Sequence, residues 1–60
     1  MKRIPNGTKV WIKDNVDSWA AGEWGIVRDY NSKDNEYYIA IADDKNMELV
    51  FYRNELKVAK

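Results

Sequence analysis

The sequence of this 60-residue chain contains neither histidine nor cysteine, which removes the most common general base and the thiol nucleophile from its possible chemistry. Ser18 and Ser32 therefore lack the imidazole base that most often activates a serine nucleophile. The adjacent acids Asp43 and Asp44 are the best candidates for acid–base work, yet aspartates between two strands are typical turn formers. We predict that the protein is not an enzyme.

Metal and phosphate chemistry has equally little support. Asp14 and Asp17 offer oxygen ligands, but they lack the spacing of a calcium-binding loop. Thiolate zinc sites need cysteine, which is absent. The chain also contains no glycine-rich segment of the kind that cradles phosphates. We expect neither a metal ion nor a cofactor.

Aromatic residues are the most informative feature of the chain, which has three tryptophans, four tyrosines and one phenylalanine. A domain this small has a limited interior, so some of these rings are expected at the surface. Surface tryptophan and tyrosine side chains are the anchors that binding interfaces use. The composition therefore favours a binding module.

The charges are balanced in number but not in position. Ten basic and ten acidic residues give a net charge of zero. The first thirteen residues carry bases and no acid, and the acids all lie in the middle of the chain. The basic residues near the two ends form a candidate nucleic-acid-binding set: Lys2, Arg3, Lys9, Lys13, Lys57 and Lys60.

Hydrophobic alternation with a period of two predicts five strands, at 8–13, 23–30, 36–42, 48–52 and 57–59. A long loop follows strand one, and residues 53–56 suit a 3₁₀ turn. The chain is expected to form one all-β domain over residues 1–60. The predicted inward residues are Val10, Ile12, Val27, Tyr37, Ile39, Ile41, Leu49, Phe51, Leu56 and Val58.

Strand two is the least regular of the five. Trp24, Ile26 and Tyr30 share one face of an ideal strand, and Gly25 and Val27 share the other. Because both faces carry apolar residues, we expect a bulge or bend, and Gly25 is the predicted position.

Three segments together resemble the SH3-like barrel superfamily, nearest to the KOW-type and related bacterial small barrels. They are the opening strand at 6–12, the glycine-containing strand at 22–27, and the strand, turn and strand at 51–58. The resemblance implies a five-stranded barrel in which the first and last strands pair, glycine permits close backbone approach, and Leu56 is buried. The Ala-Leu-Tyr-Asp-Tyr segment of proline-peptide-binding SH3 domains is absent, so that activity is not implied.

Strand alternation places Trp11, Tyr38 and Tyr52 outward, and we predict that they contact a protein partner, bordered by Trp19 and Trp24. The loop residue Trp19 is also expected to fold back on the barrel. The alternative is weak nucleic-acid binding through the basic residues of the two terminal strands, which the KOW-type resemblance suggests. We expect a cytoplasmic monomer with no membrane contact.

Overall fold

Five antiparallel strands form one sheet in the computed structural model, which describes residues 3–43 and 47–59. The predicted all-β class, the number of strands and the 3₁₀ turn are confirmed. Within the described residues no helix is long and apolar enough to cross a membrane. The elements in chain order are β1 (Lys9–Ile12), β2 (Trp24–Asn31), β3 (Glu36–Ile41), β4 (Glu48–Tyr52), the 3₁₀ turn (Arg53–Glu55) and β5 (Leu56–Val58).

The strand order is β4-β3-β2-β1-β5, so the first and last strands are neighbours. The 3₁₀ turn carries the chain from β4, at one edge of the sheet, to β5, at the other. In the described part of the chain the two edge strands do not pair with each other, and the sheet is not closed into a barrel. The predicted barrel closure is therefore not confirmed.

The core lies on the face of the sheet that the alternation predicts. All the predicted inward residues are buried except Leu49 and Val58, which are partly buried and pack against the core. Two further residues, Ile4 and Ala20, are buried although neither belongs to a strand.

The segment before β1 supplies Ile4 to the core. Its backbone N–H donates a hydrogen bond of 2.9 Å to the Tyr37 hydroxyl, in a buried position. Gly7 turns the chain at a φ of 91°, a conformation that favours glycine, and its N–H donates to the Val27 carbonyl at 2.7 Å. These two bonds fix the N-terminal segment against β2 and β3.

The irregularity of β2 lies between Val27 and Asp29, so the prediction of a bulge at Gly25 is wrong. One extra residue reverses the alternation. Val27 therefore points inward before the bulge, and Tyr30 packs against the core after it. Tyr30 and Trp24, which would share one face of an ideal strand, therefore lie on opposite faces of β2.

Gly25 pairs regularly with Val10 on β1 and with Ile41 on β3. A Cβ atom at this position would lie 2.5 Å from the Ala40 carbonyl oxygen and 2.6 Å from Ile39 Cγ2. The resemblance implied close backbone approach at a glycine in this strand, and the structure shows it.

The loop between β1 and β2 covers the core with small side chains. Ala20 is fully buried and Val16 packs against the core cluster. Trp19, between them in sequence, is 61% exposed, so the prediction that its ring folds back on the sheet is wrong. The short methyl group of Ala20 fits a site where an indole ring would not, and the neighbouring ring turns to solvent.

Candidate binding surface

Several outward positions of the two central strands are apolar. β2 presents Trp24 and Ile26, and β3 presents Tyr38 and Ala40, each alternating with a buried position. Charged residues lie on the same face, because Asp29 pairs with Tyr38 and Glu48 pairs with Ala40. An antiparallel sheet with one face in water usually alternates apolar-in with polar-out. The outward apolar side chains are therefore a candidate binding surface. We call it the outward apolar face: Trp11, Trp24, Ile26, Tyr38, Ala40, Val50 and Tyr52.

Strand pairing joins these side chains across four strands. Trp11 lies opposite Trp24, and Tyr38 lies opposite Val50. Ile26 and Ala40 face each other between these two pairs. Because neighbouring strands are about 4.8 Å apart, the set forms one diagonal band across the sheet. Of the predicted site residues, the structure brings Trp11 and Trp24 together at one end of the band, and Tyr38 and Tyr52 at the other.

A shallow groove runs along the middle of the band. Its lining combines the small side chains of Ala40 and Ala42 with the larger side chains of Trp24, Ile26 and Arg28 on β2. Sequence reasoning missed Ile26, Ala40, Val50 and Arg28 as site residues, although alternation already pointed the first three outward.

Lys9 lies over both outward tryptophans. Its Nζ atom is 4.4 Å from the centroid of the Trp24 ring and 5.4 Å from that of Trp11. Each of these distances is within the range of a cation–π interaction, worth about 0.5–1 kcal/mol at an exposed site. Lys9 and Trp11 share a face through alternation, and pairing of β1 with β2 brings Trp24 beside them. Lys9 thus contacts both indole rings and links them.

The predicted basic set divides in the structure. Lys57 lies opposite Trp11 on β5, and both line a small depression together with Lys13 and Asp14. The Arg3 guanidinium lies elsewhere, 4.9 Å from the Tyr30 ring. Lys2 and Lys60 fall outside the described residues. Lys9, Lys13 and Lys57 therefore do converge around Trp11, and Arg3 does not join them.

The two most exposed aromatic residues belong to different elements. Tyr52, 54% exposed, ends β4 on the outward face. Trp19 belongs to the loop between β1 and β2, whose Val16 and Ala20 pack on the core, and it has no strand partner in the band. The predicted partner-binding residues thus lie on the outward apolar face, with the exception of Trp19.

One pair of carboxylates is close enough to interact. A hydrogen bond to Asp43, and the charge of that carboxylate, raise the pKa of Glu23 above its ordinary value of 4.5. Asp43 is exposed, and Asp44, its partner in the sequence prediction, lies in the part of the chain that is not described. No group of three metal-ligating side chains occurs among the described residues.

Comparisons of the chain with protein-family models, with curated proteins and with solved structures find no match. The functional argument therefore depends on the surface itself.

Proposed function

We propose that this protein is a small SH3-like binding module that recognises a protein partner through its outward apolar face. The observation that carries the proposal is the row of apolar outward pairs across the sheet, Trp11 with Trp24, Ile26 with Ala40, and Tyr38 with Val50. Such residues lower the free energy of a complex when a partner covers them, because apolar surface leaves water. In the free protein these side chains stay exposed to water and do not provide this gain in free energy.

Several features support the SH3-like fold. The first and last strands pair, β5 follows a 3₁₀ turn, and Leu56 is buried directly after that turn. Gly25 allows close approach of β2 and β3. Each of these features was implied by the resemblance to the superfamily, and together they agree with its strand arrangement.

The residue types of the surface suit a protein partner. Trp11, Trp24 and Tyr52 belong to the residue types that contribute most of the binding free energy at protein interfaces. Basic residues (Lys9, Lys57 and Arg28) and acidic residues (Asp29, Glu36 and Glu48) lie around it, so the rim favours a partner that carries charges of both signs.

The direct test is capture of a partner from extracts of the source cells by the immobilised protein. Trp11→Ala and Tyr52→Ala remove the two ends of the band, and each variant is expected to lose the captured protein while its far-UV circular dichroism is unchanged. Trp19→Ala is the matched control, because it removes a large exposed ring that does not belong to the band. Capture that survives both band substitutions, or that depends on Trp19 alone, would contradict the proposal.

Nucleic-acid binding is the second candidate, favoured by the convergence of Lys9, Lys13 and Lys57 around Trp11. Cations interleaved with exposed rings are what single-stranded nucleic acid requires. We rank it second because Lys9 already covers both indole rings, so stacking of a base would first break these contacts. A net charge of zero also predicts few phosphate contacts.

Fluorescent oligonucleotides, single-stranded and duplex, separate the two candidates. Nucleic-acid binding would be visible at about 50 mM salt, fall steeply at about 200 mM, and weaken in Lys57→Gln. We expect no binding at either salt concentration.

A further inference from the structure

A second cleft lies near the end of the sheet at which β2 turns into β3, and it has a different chemistry from the outward apolar face. Its walls include the phenol rings of Tyr30 and Tyr52 and the guanidinium groups of Arg3 and Arg53. Tyr37 and the amide side chains of Asn35 and Asn54 complete the lining, which contains no carboxylate. In a chain with a net charge of zero, this cleft therefore has two positive charges among its walls.

Both guanidinium groups are oriented by contacts within the protein. Arg3 lies over the Tyr30 ring and donates a hydrogen bond to the Asn6 side chain. Arg53 Nη1 donates to the Leu56 carbonyl at 2.9 Å. Since a guanidinium has several donors, each contact leaves others for a ligand. Orientation before binding reduces the entropy that a ligand must overcome.

Tyr30 also holds its place through two contacts. Its ring centroid is 4.6 Å from that of Tyr37, and its hydroxyl donates to the Asn35 side chain at 2.9 Å. Asn35 has a φ of 56°, which turns the β2–β3 connection back toward Tyr30. The wall of the cleft is thus built from elements far apart in sequence.

The geometry points to a carboxylate-bearing peptide segment of a protein partner as the ligand of this cleft, with an acidic side chain between Arg3 and Arg53 and an apolar neighbour against Tyr52. Guanidinium groups bind carboxylates through paired, charge-assisted hydrogen bonds. The inference rests on the proposed role in protein recognition and adds a charge preference to it. Tyr52 belongs to both surfaces, so one partner can span them.

A nucleotide fits the same cleft less well. Stacking of a base needs an open aromatic face, but Arg3 covers Tyr30, and Tyr37 is buried. Tyr52 alone offers a free ring, 54% exposed. The asparagine amides match the hydrogen-bonding groups of a peptide backbone.

Two blocked peptides that differ only in charge test the inference, acetyl-Phe-Glu-Phe-amide and acetyl-Phe-Gln-Phe-amide, titrated into the ¹⁵N-labelled protein. We expect the glutamate peptide to shift the amide signals of Asn35, Arg53 and Asn54 in a saturable way. The glutamine peptide should bind about tenfold more weakly, because it lacks the charge-assisted contacts. Arg3→Gln should reduce the affinity for the glutamate peptide by about the same factor and leave that for the glutamine peptide unchanged.

The outcomes separate this inference from the proposed function. Trp11→Ala is expected to bind the glutamate peptide as the native protein does, whatever it does to capture of the whole partner. Equal affinity for both peptides would overturn the inference, as would shifts confined to β1 and β2. Tighter binding of adenosine monophosphate than of the glutamate peptide at the same signals would assign the cleft to nucleotides instead. If Arg53→Gln disturbs the fold, Arg3→Gln still decides the result, since Arg3 lies outside the strands.

Discussion

Gly25→Ala is the substitution whose effect the structure defines most sharply. Gly25 is buried in β2 between Val10 and Ile41. A methyl group there would meet the Ala40 carbonyl oxygen at 2.5 Å and Ile39 Cγ2 at 2.6 Å. The oxygen belongs to the backbone of β3, so the clash cannot be relieved by rotation of a side chain. β2 and β3 would have to separate at the centre of the sheet.

The expected loss is large in relation to the whole stability of the domain. Extra atoms in a packed core cost about 1–3 kcal/mol, and a clash with backbone belongs at the upper end of that range. A folded domain of this length has a free energy of unfolding of about 3–9 kcal/mol. A loss of about 3 kcal/mol corresponds to a fall in Tm of about 12–24 °C, since each kcal/mol shifts a small domain by about 4–8 °C.

Thermal unfolding followed by circular dichroism and by tryptophan fluorescence measures this loss. Gly7→Ala is the control, because its φ of 91° carries a conformational cost while no heavy atom lies within 4 Å of the new Cβ. Left-handed backbone costs an alanine about 1–2 kcal/mol. If Gly25→Ala destabilises the protein no more than Gly7→Ala does, β2 and β3 do not approach each other at Gly25 as closely as the structure shows.

Three further predictions concern stability. Tyr37→Phe leaves the buried Ile4 N–H without its acceptor and should cost about 1–3 kcal/mol in urea unfolding; full retention of stability would show that the hydrogen bond does not form. Ile39→Val removes one methyl group from a fully buried site and should cost about 0.5–1.5 kcal/mol with an unchanged dependence on urea; no loss would place Ile39 outside the core. Glu23→Gln removes the repulsion between Glu23 and Asp43. Because the pKa of Glu23 is raised in the folded protein, its ionisation disfavours folding as pH rises through that pKa, so the variant should have the higher Tm at neutral pH. The difference should disappear below pH 4.5, and a variant with a lower Tm at neutral pH would contradict the pairing.

The strands were predictable because their alternation is strong. In β3 and β4 each inward residue is followed by an outward one, and Tyr37, Ile39, Ile41 and Phe51 are buried as expected. Propensity and alternation are local signals, and for these segments local and overall preferences agree.

The errors arose where burial depends on contacts between distant segments. Ile4 precedes a proline and lies in no strand, and it is buried because the folded chain packs it into the core, where its N–H also bonds to the Tyr37 hydroxyl. No glycine marks the bulge after Val27 in the sequence, so the bulge can be recognised only from the pairing of β2 with β3. In the loop, size decided which residue is buried, and Ala20 rather than Trp19 fills the space beside the core.

The candidate surface was predictable in part. Alternation placed Trp11, Tyr38 and Tyr52 outward, but it gave no information on which strands are neighbours. The register of β1 with β2 joins Trp11 to Trp24, and that of β2 with β3 supplies Ile26 and Ala40 between the aromatic pairs. The cleft of Arg3 and Arg53 had no local signal, because the chain ends and the β2–β3 connection meet only in the folded molecule.

Photo-cross-linking from the outward apolar face tests the account most directly. A benzophenone amino acid in place of Tyr38 lies in the band opposite Val50, and the same amino acid in place of Trp19 lies in the loop between β1 and β2, outside the band. The account predicts that irradiation in extracts of the source cells gives a discrete protein adduct from position 38 and none from position 19. An adduct from position 19 alone, or none from position 38 with the fold intact, would contradict it.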